Sequence, residues 1–281
     1  MAVEKVGKEH RKSKMPLTEF QKQVLRLLAS NRSPDSHIAG GTALNASPAS
    51  ARFSLDIDIF HDAQELVEGS ARLDAETLES HGYSMHWLTV NPYFFRAVVT
   101  RGDQQLKLEW AVDSAYRFFP VIQDTEMGWR LHDADLATNK ALALGGRSET
   151  RDLLDIVMVD ESFLPLQAVV WAACAKDPGF TPVFLLEQMA RNARIDPLVL
   201  RHIAARPISP TELKQKWLEI HSRALAQVEA FSRETPGCLY VDAEGRLFWP
   251  EDPANAHRHE PFLGGSWPKV IGEERSQGLS F

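Results

Sequence analysis

Residues 40–60 read GGTALNASPASARFSLDIDIF, and the reading of this stretch decides the fold. Gly40, Gly41 and Thr42 close a short apolar run, HIA. Then, after 13 intervening residues, two aspartates stand inside a run that otherwise alternates like a strand. Phe53, Leu55, Ile57 and Ile59 would share one face, with Ser54, Asp56, Asp58 and Phe60 on the other. Aspartate is depleted in strands, so Asp56 and Asp58 call for a reason. A wet sheet face is the bland one. The chemical one starts from their spacing: side chains two apart on a strand point the same way, and like charges held that close repel unless a cation or a shared proton intervenes. Magnesium takes oxygen ligands, usually one or two carboxylates together with substrate phosphates.

The neighbouring segments supply a setting for such a site. Upstream, LTEFQKQVLRLLASN carries Phe20, Val24, Leu27 and Leu28 at helical spacing behind a Thr18 cap. HIAGG reads as a buried strand ended by glycines, with a helical turn following at Thr42. Backbone N–H groups at such a turn can cradle an anion, glycine lets the chain approach it, and the threonine hydroxyl adds a donor. Downstream, a helix-leaning stretch from 62 to 80 precedes YSMHWLTV and then YFFRAVVTRGDQQLKLEWAV, which folds as a hairpin about Gly102-Asp103. In its second arm Lys107, Glu109, Ala111 and Asp113 share the polar face. If this strand neighbours the aspartate strand, Glu109 completes a three-carboxylate set with Asp56 and Asp58, and Asp113 competes for that place. Three carboxylates could hold two magnesium ions, one at the attacking oxygen and one at the leaving phosphate.

From Asp133 the texture turns helical. DADLATNKALALGG has acids at its start and glycines at its end, and SETRDLLDIVMVDE opens on a serine cap at Ser148. Helical patterns broken by prolines continue to Phe231, and CLYVDAEGRLFWP turns at Glu244-Gly245 as a small hairpin. The expected organisation is a basic leader over 1–16, an α/β domain over 17–130, a helical domain over 131–235 and an irregular tail over 236–281. Composition narrows the class. The net charge of −7 argues against a chain that coats nucleic acid non-specifically. Cys174 and Cys238 have no metal-like spacing and suit a reducing cytoplasm. The absence of an apolar run of membrane-spanning length argues against a membrane partner.

Taken together, GGTAL and ARFSLDIDIF resemble the signature of the DNA-polymerase-β-like nucleotidyltransferase superfamily. Within it, the run from Arg52 to Phe60 is similar to the AbiEii-type toxins of bacterial abortive-infection toxin–antitoxin systems. DLATNKALALGGRSETRDLLDI resembles the lysine helix and acid pair of that branch. The resemblance covers about 37–160 and departs in carrying threonine where serine more often follows the glycines. It implies an α+β architecture: the minimal nucleotidyltransferase fold, a mixed β-sheet flanked by helices, followed by a helical C-terminal domain. It further implies magnesium-dependent transfer of a nucleoside monophosphate from a nucleoside triphosphate to an acceptor hydroxyl on RNA, such as tRNA, or on protein, with a cognate antitoxin as partner. By the same resemblance Gly40, Gly41, Thr42, Lys140, Arg147 and Asp152 form the nucleotide site, with Lys140 on the phosphates and Arg151 and Asp155 beside it.

Each of these residues has a bland alternative. Lys140 could be a snorkelling surface lysine, and Arg147, Arg151, Asp152 and Asp155 could simply pair along one helix side. Trp87, Tyr93, Phe94, Phe95 and Trp110 read as sheet core rather than a base-stacking platform. His257 and His259 lack companion metal ligands, so HRH reads as solvent-exposed. Two competing functions share the fold: an antibiotic-modifying nucleotidyltransferase with an aminoglycoside-like acceptor, and a non-catalytic nucleotide-sensing or interaction module.

Overall fold

In a computed structural model the chain is described over residues 16–268. The basic leader, with Lys5, Lys8, Arg11, Lys12 and Lys14, and the last part of the tail lie outside the described residues. The helices are α1 (Glu19–Leu28), α2 (Gly40–Leu44), α3 (Gln64–Ser80), α4 (Asp133–Gly146), α5 (Thr150–Ser162), α6 (Leu166–Ala173), α7 (Pro182–Asn192), α8 (Pro197–Ile203) and α9 (Pro210–Ala230). The strands are β1 (Ser36–Ala39), β2 (Asp56–His61), β3 (Ser84–Asn91), β4 (Phe94–Arg101), β5 (Gln104–Val112), β6 (Tyr116–Arg117), β7 (Ile122–Asp124), β8 (Gly128–Arg130), β9 (Leu239–Val241), β10 (Leu247–Phe248), β11 (His257–His259) and β12 (Phe262–Leu263). The chain forms two compact units. One takes the residues up to Asp113 with Gln123–Arg130 and Ile195–Leu213; the other takes Ser114–Ile122, Leu131–Arg194 and Lys214 onward. Residues 195–213, expected within the helical domain over 131–235, belong to the first unit and bond to the strand lead-in described below.

The first unit is built on a mixed sheet of order β3-β4-β5-β2-β1-β8-β7. β2 runs antiparallel to β1 and parallel to β5, and β5 runs antiparallel to β4. Strand alternation sends Ile57, Ile59, Phe95, Ala97, Leu108 and Trp110 to a buried face, where Val67, Ala71 and Leu78 of α3 are also buried. α1 begins with a full capping box. Thr18 Oγ1 accepts from Gln21 N at 3.1 Å, and Gln21 Oε1 accepts from Thr18 N at 2.8 Å. Gln21 Nε2 then donates to the Ser54 carbonyl at 2.9 Å, tying α1 to the approach of β2. Within this core, Arg32 Nη2 meets Asp74 Oδ2 at 2.7 Å, and Asp74 also accepts from Trp110 Nε1 at 2.8 Å and Asn31 Nδ2 at 2.9 Å. Burial drives both partners toward neutrality, raising the Asp74 carboxyl and lowering the Arg32 guanidinium, against their mutual attraction.

β2 starts later than its alternation suggests. Leu55, expected on the core face, is 48% exposed, and the strand begins at Asp56. The cause lies in 51–53. Phe53 N donates to the Ile203 carbonyl at 2.7 Å and Ala205 N to the Ala51 carbonyl at 2.8 Å, while Ser54 Oγ turns in to donate to the Asp56 carbonyl at 3.1 Å. The backbone straightens only after these contacts end.

The second unit packs α4 against α5, α6 and α7. Pro182 opens α7 at its first turn behind the Thr181 cap, where a missing N–H costs nothing, as Pro197 opens α8 of the first unit behind Asp196. The expected Ser148 cap is not used. α5 begins after Glu149 without a side-chain cap, because the Ser148 hydroxyl donates to the Asn192 carbonyl at 2.9 Å. The small hairpin forms as expected between β9 and β10, and β11 extends it to three strands. HRH is accordingly a strand, and only part of it is exposed as expected. His257 and Arg258 face solvent, but His259 is buried, its Nε2 2.8 Å from the Phe118 carbonyl and its ring against Phe119.

Candidate active site

In the first unit, the parallel register of β2 and β5 sets Asp56 beside Lys107 and Asp58 beside Glu109. All four side chains belong to the sheet face opposite the core. Glu109 lies on the Asp58 side of the sheet, as strand phase requires. Asp113 lies beyond β5, its backbone N–H donating to the His61 carbonyl at 2.9 Å. The Lys107 ammonium sits between two carboxylates, 3.1 Å from Asp56 Oδ2 and 2.8 Å from Glu109 Oε1. The same Glu109 oxygen accepts from Arg96 Nε of β4 at 2.9 Å. Burial works to lower the Lys107 pKa, but its bond to Glu109 and the charge of Asp56 outweigh it, so the amine is held above the ordinary lysine value. Lys107 and Arg96 were not singled out from the sequence. Lys107 stood in phase with Glu109, and what was missing was the register that faces it to Asp56.

Gly40 and Asp58 fit each other closely. Gly40 has φ +59, and a Cβ there would lie 1.9 Å from Asp58 Oδ2 and 2.6 Å from its Cγ. The carboxylate thus fills the space that any other residue at 40 would need. Gly41 makes room in the same way for Arg52, whose Nη2 would be 2.7 Å from an added Cβ. Thr42 differs from its expected part as an anion donor. It is fully buried, and its hydroxyl donates to the Asp56 carbonyl and lies 3.0 Å from Ser54 Oγ. It therefore fixes the start of β2. Asn45 supports the same turn, its Nδ2 donating to the Gly41 carbonyl at 3.0 Å.

These observations bear on the magnesium expected from the sequence. Among the described residues no group of three or more His, Cys, Asp or Glu is arranged to hold a metal ion. Asp56 and Asp58 still offer the oxygen pair that magnesium takes together with phosphates, and Gly40 shapes the seat of one of them. Glu109, expected as the third ligand, has its Oε1 engaged by both Lys107 and Arg96 and is not grouped with the two aspartates.

In the second unit, α4 and α5 bring the lysine and the acid pair together. Lys140 is 8% exposed, which removes the snorkelling alternative. Its Nζ lies 3.0 Å from Asp152 Oδ1 and 3.1 Å from Asp155 Oδ2. Arg147 Nε meets Asp152 Oδ2 at 2.7 Å while half of its side chain stays exposed. Burial would raise the Asp152 carboxyl, yet the Arg147 hydrogen bond and the Lys140 charge prevail and hold it below the usual carboxylate range. Of the aromatic residues, Phe95 and Trp110 are core, Trp87 and Phe94 are half-buried, and Tyr93 is 62% exposed and no part of the core.

No protein-family model matches the chain, and no curated protein matches it. Solved structures do. JHP933 from Helicobacter pylori is 19% identical, with a TM-score of 0.51, covering 77% of this chain and 97% of that one. MenT4, a nucleotidyltransferase toxin from Mycobacterium tuberculosis H37Rv, is 17% identical, with a TM-score of 0.51, covering 77% of this chain and 88% of that one. At such identities the likeness is one of fold, and at that level it supports the resemblance read from residues 37–160. Among the described residues no helix is long and apolar enough to cross a membrane. The chain is an α+β protein with the nucleotidyltransferase fold.

Proposed function

We propose that the protein transfers a nucleoside monophosphate from a nucleoside triphosphate to an acceptor hydroxyl on RNA, such as tRNA, or on protein, as the toxin of a toxin–antitoxin pair. The acceptor oxygen bonds to the α-phosphorus, its proton passing to solvent, as the α–β bridging bond breaks and pyrophosphate leaves. The observation that carries this reading is the Asp56–Asp58 pair on one face of β2, with Asp58 seated against Gly40. Asp56 and Asp58 are the residues we assign to magnesium. Bound there, the ion would neutralise phosphate charge, the main requirement of a reaction that needs no protein nucleophile. Gly40 leaves room for Asp58 and Gly41 for Arg52, Thr42 and Ser54 hold the Asp56 backbone, and Lys107 and Arg96 hold Glu109. Lys140, Arg147 and Asp152 are assigned to the nucleotide on the strength of the sequence resemblance, the two cations for phosphate and the acid to orient them. The reading calls for action in the cytoplasm, where triphosphates are held, and for an antitoxin as partner.

The test is transfer of label from each α-labelled nucleoside triphosphate to tRNA and to cell protein, with Asp58→Asn as control. Labelled acceptor with the wild type, and at least a 100-fold loss in the variant, is expected. A folded wild type that labels nothing with any triphosphate overturns the reading.

A further inference from the structure

The bridge made by Lys107 changes how many ions this site should take. The inference rests on the magnesium-dependent transfer just proposed and concerns the same residues. A two-ion centre needs a third anionic donor, and the strand register supplies one in Glu109. That seat already has an occupant. Lys107 Nζ stands 3.1 Å from Asp56 and 2.8 Å from Glu109, and Arg96 lies on the same Glu109 oxygen at 2.9 Å. A dication between Asp56 and Glu109 would meet a positive charge at contact distance and could enter only by expelling it.

We propose that the Lys107 ammonium permanently fills the place of one cation, so that the site takes a single exchangeable dication, on Asp56 and Asp58. The tethered charge offsets the repulsion among Asp56, Asp58 and Glu109, which stand on neighbouring positions of two strands. It also holds Asp56 in place, through the bridge to Glu109, before any ion arrives. Lys107 is on this account a positioning residue. Glu109 is its anchor rather than a metal ligand, and Arg96 keeps Glu109 from rotating toward the aspartates. The geometry suits a long flexible amine and a strongly hydrated point charge.

The experiment counts manganese ions bound per chain by electron paramagnetic resonance, in the presence of a non-hydrolysable nucleoside triphosphate. Wild type, Lys107→Met, Lys107→Arg and Asp58→Asn are compared, each first shown to be folded by its unfolding midpoint. One ion is expected on the wild type and on Lys107→Arg, which keeps the charge. Two are expected on Lys107→Met, whose freed carboxylates admit a second ion, and none on Asp58→Asn. Two ions on the wild type, or one on folded Lys107→Met, overturns the assignment of Lys107 while leaving the transfer reading intact. No ion on the wild type overturns both. Because side chains on this face are part-exposed, Lys107 at 36%, the substitutions are expected to fold.

Discussion

The fit of Gly40 to Asp58 can be tested without any assay of activity. Gly40→Ala meets two penalties. The left-handed φ of +59 costs an L-residue about 1–2 kcal/mol. The added methyl would stand 1.9 Å from Asp58 Oδ2, 2.6 Å from Cγ and 2.9 Å from Cβ. A rotation of the carboxylate relieves the first contact but not the last, so β2 or α2 must also shift, and overpacking of this kind costs roughly 1–3 kcal/mol more. Asp58→Ala removes Oδ2 and Cγ and leaves only the Cβ contact. In that background Gly40→Ala keeps the backbone term and the 2.9 Å Cβ contact but is relieved of the two closer ones. The pair should therefore be coupled by about 1–3 kcal/mol in a double-mutant cycle, read from urea unfolding followed by tryptophan fluorescence. Additivity within about 0.5 kcal/mol refutes the reasoning, since it means that the glycine and the carboxylate do not compete for the same space.

Two further predictions concern the core beneath this face. His61 is buried against Ser36 Oγ and the Ala111 carbonyl, with Arg32 near it, and burial pulls its pKa down to about 4. The folded state thus keeps a neutral imidazole while the unfolded chain takes a proton near pH 6.5. This contribution to stability is complete above pH 6.5 and is lost as pH falls toward 4. At about 1.4 kcal/mol per unit it amounts to roughly 3 kcal/mol, and His61→Gln should flatten that part of a stability–pH profile. Asp74→Ala leaves the Arg32 guanidinium buried without its carboxylate and should cost about 3–5 kcal/mol. Replacing both with Met and Leu should recover most of that loss, as compared by urea midpoints.

Much of this was legible in the sequence, for local reasons. Strict alternation in 104–112 and a Gly-Asp turn specified a hairpin arm with one dry face, and Lys107 and Glu109 had to share the other. The capping box at Thr18 and the acids that open α4 are likewise signals carried within a few residues of where they act. The failures are non-local. Leu55 reads as a core residue by phase, but main-chain bonds from 203–205 hold 51–53 out of the strand. Ser148 reads as a cap, but its hydroxyl goes to Asn192, 44 residues away. Thr42 reads as a donor for an anion, and the structure instead uses it to hold Asp56. The pairing of Lys107 with Asp56 depends on two strands lying parallel, which no spacing in the chain announces.

The bonds from 203–205 to 51–53 have a bearing on how the protein comes into being. A ribosome that has released residues up to 130 has already delivered β2 and the strands beside it. The main-chain partners of Ala51 and Phe53 then emerge only after more than 70 further residues. Until α8 and Ala205 emerge, the lead-in to the aspartate strand keeps exposed amides and carbonyls, a state in which chains are open to mispairing. The acid pair thus reaches its final form late in synthesis, and a nascent fragment of the first unit is expected to be an incomplete one.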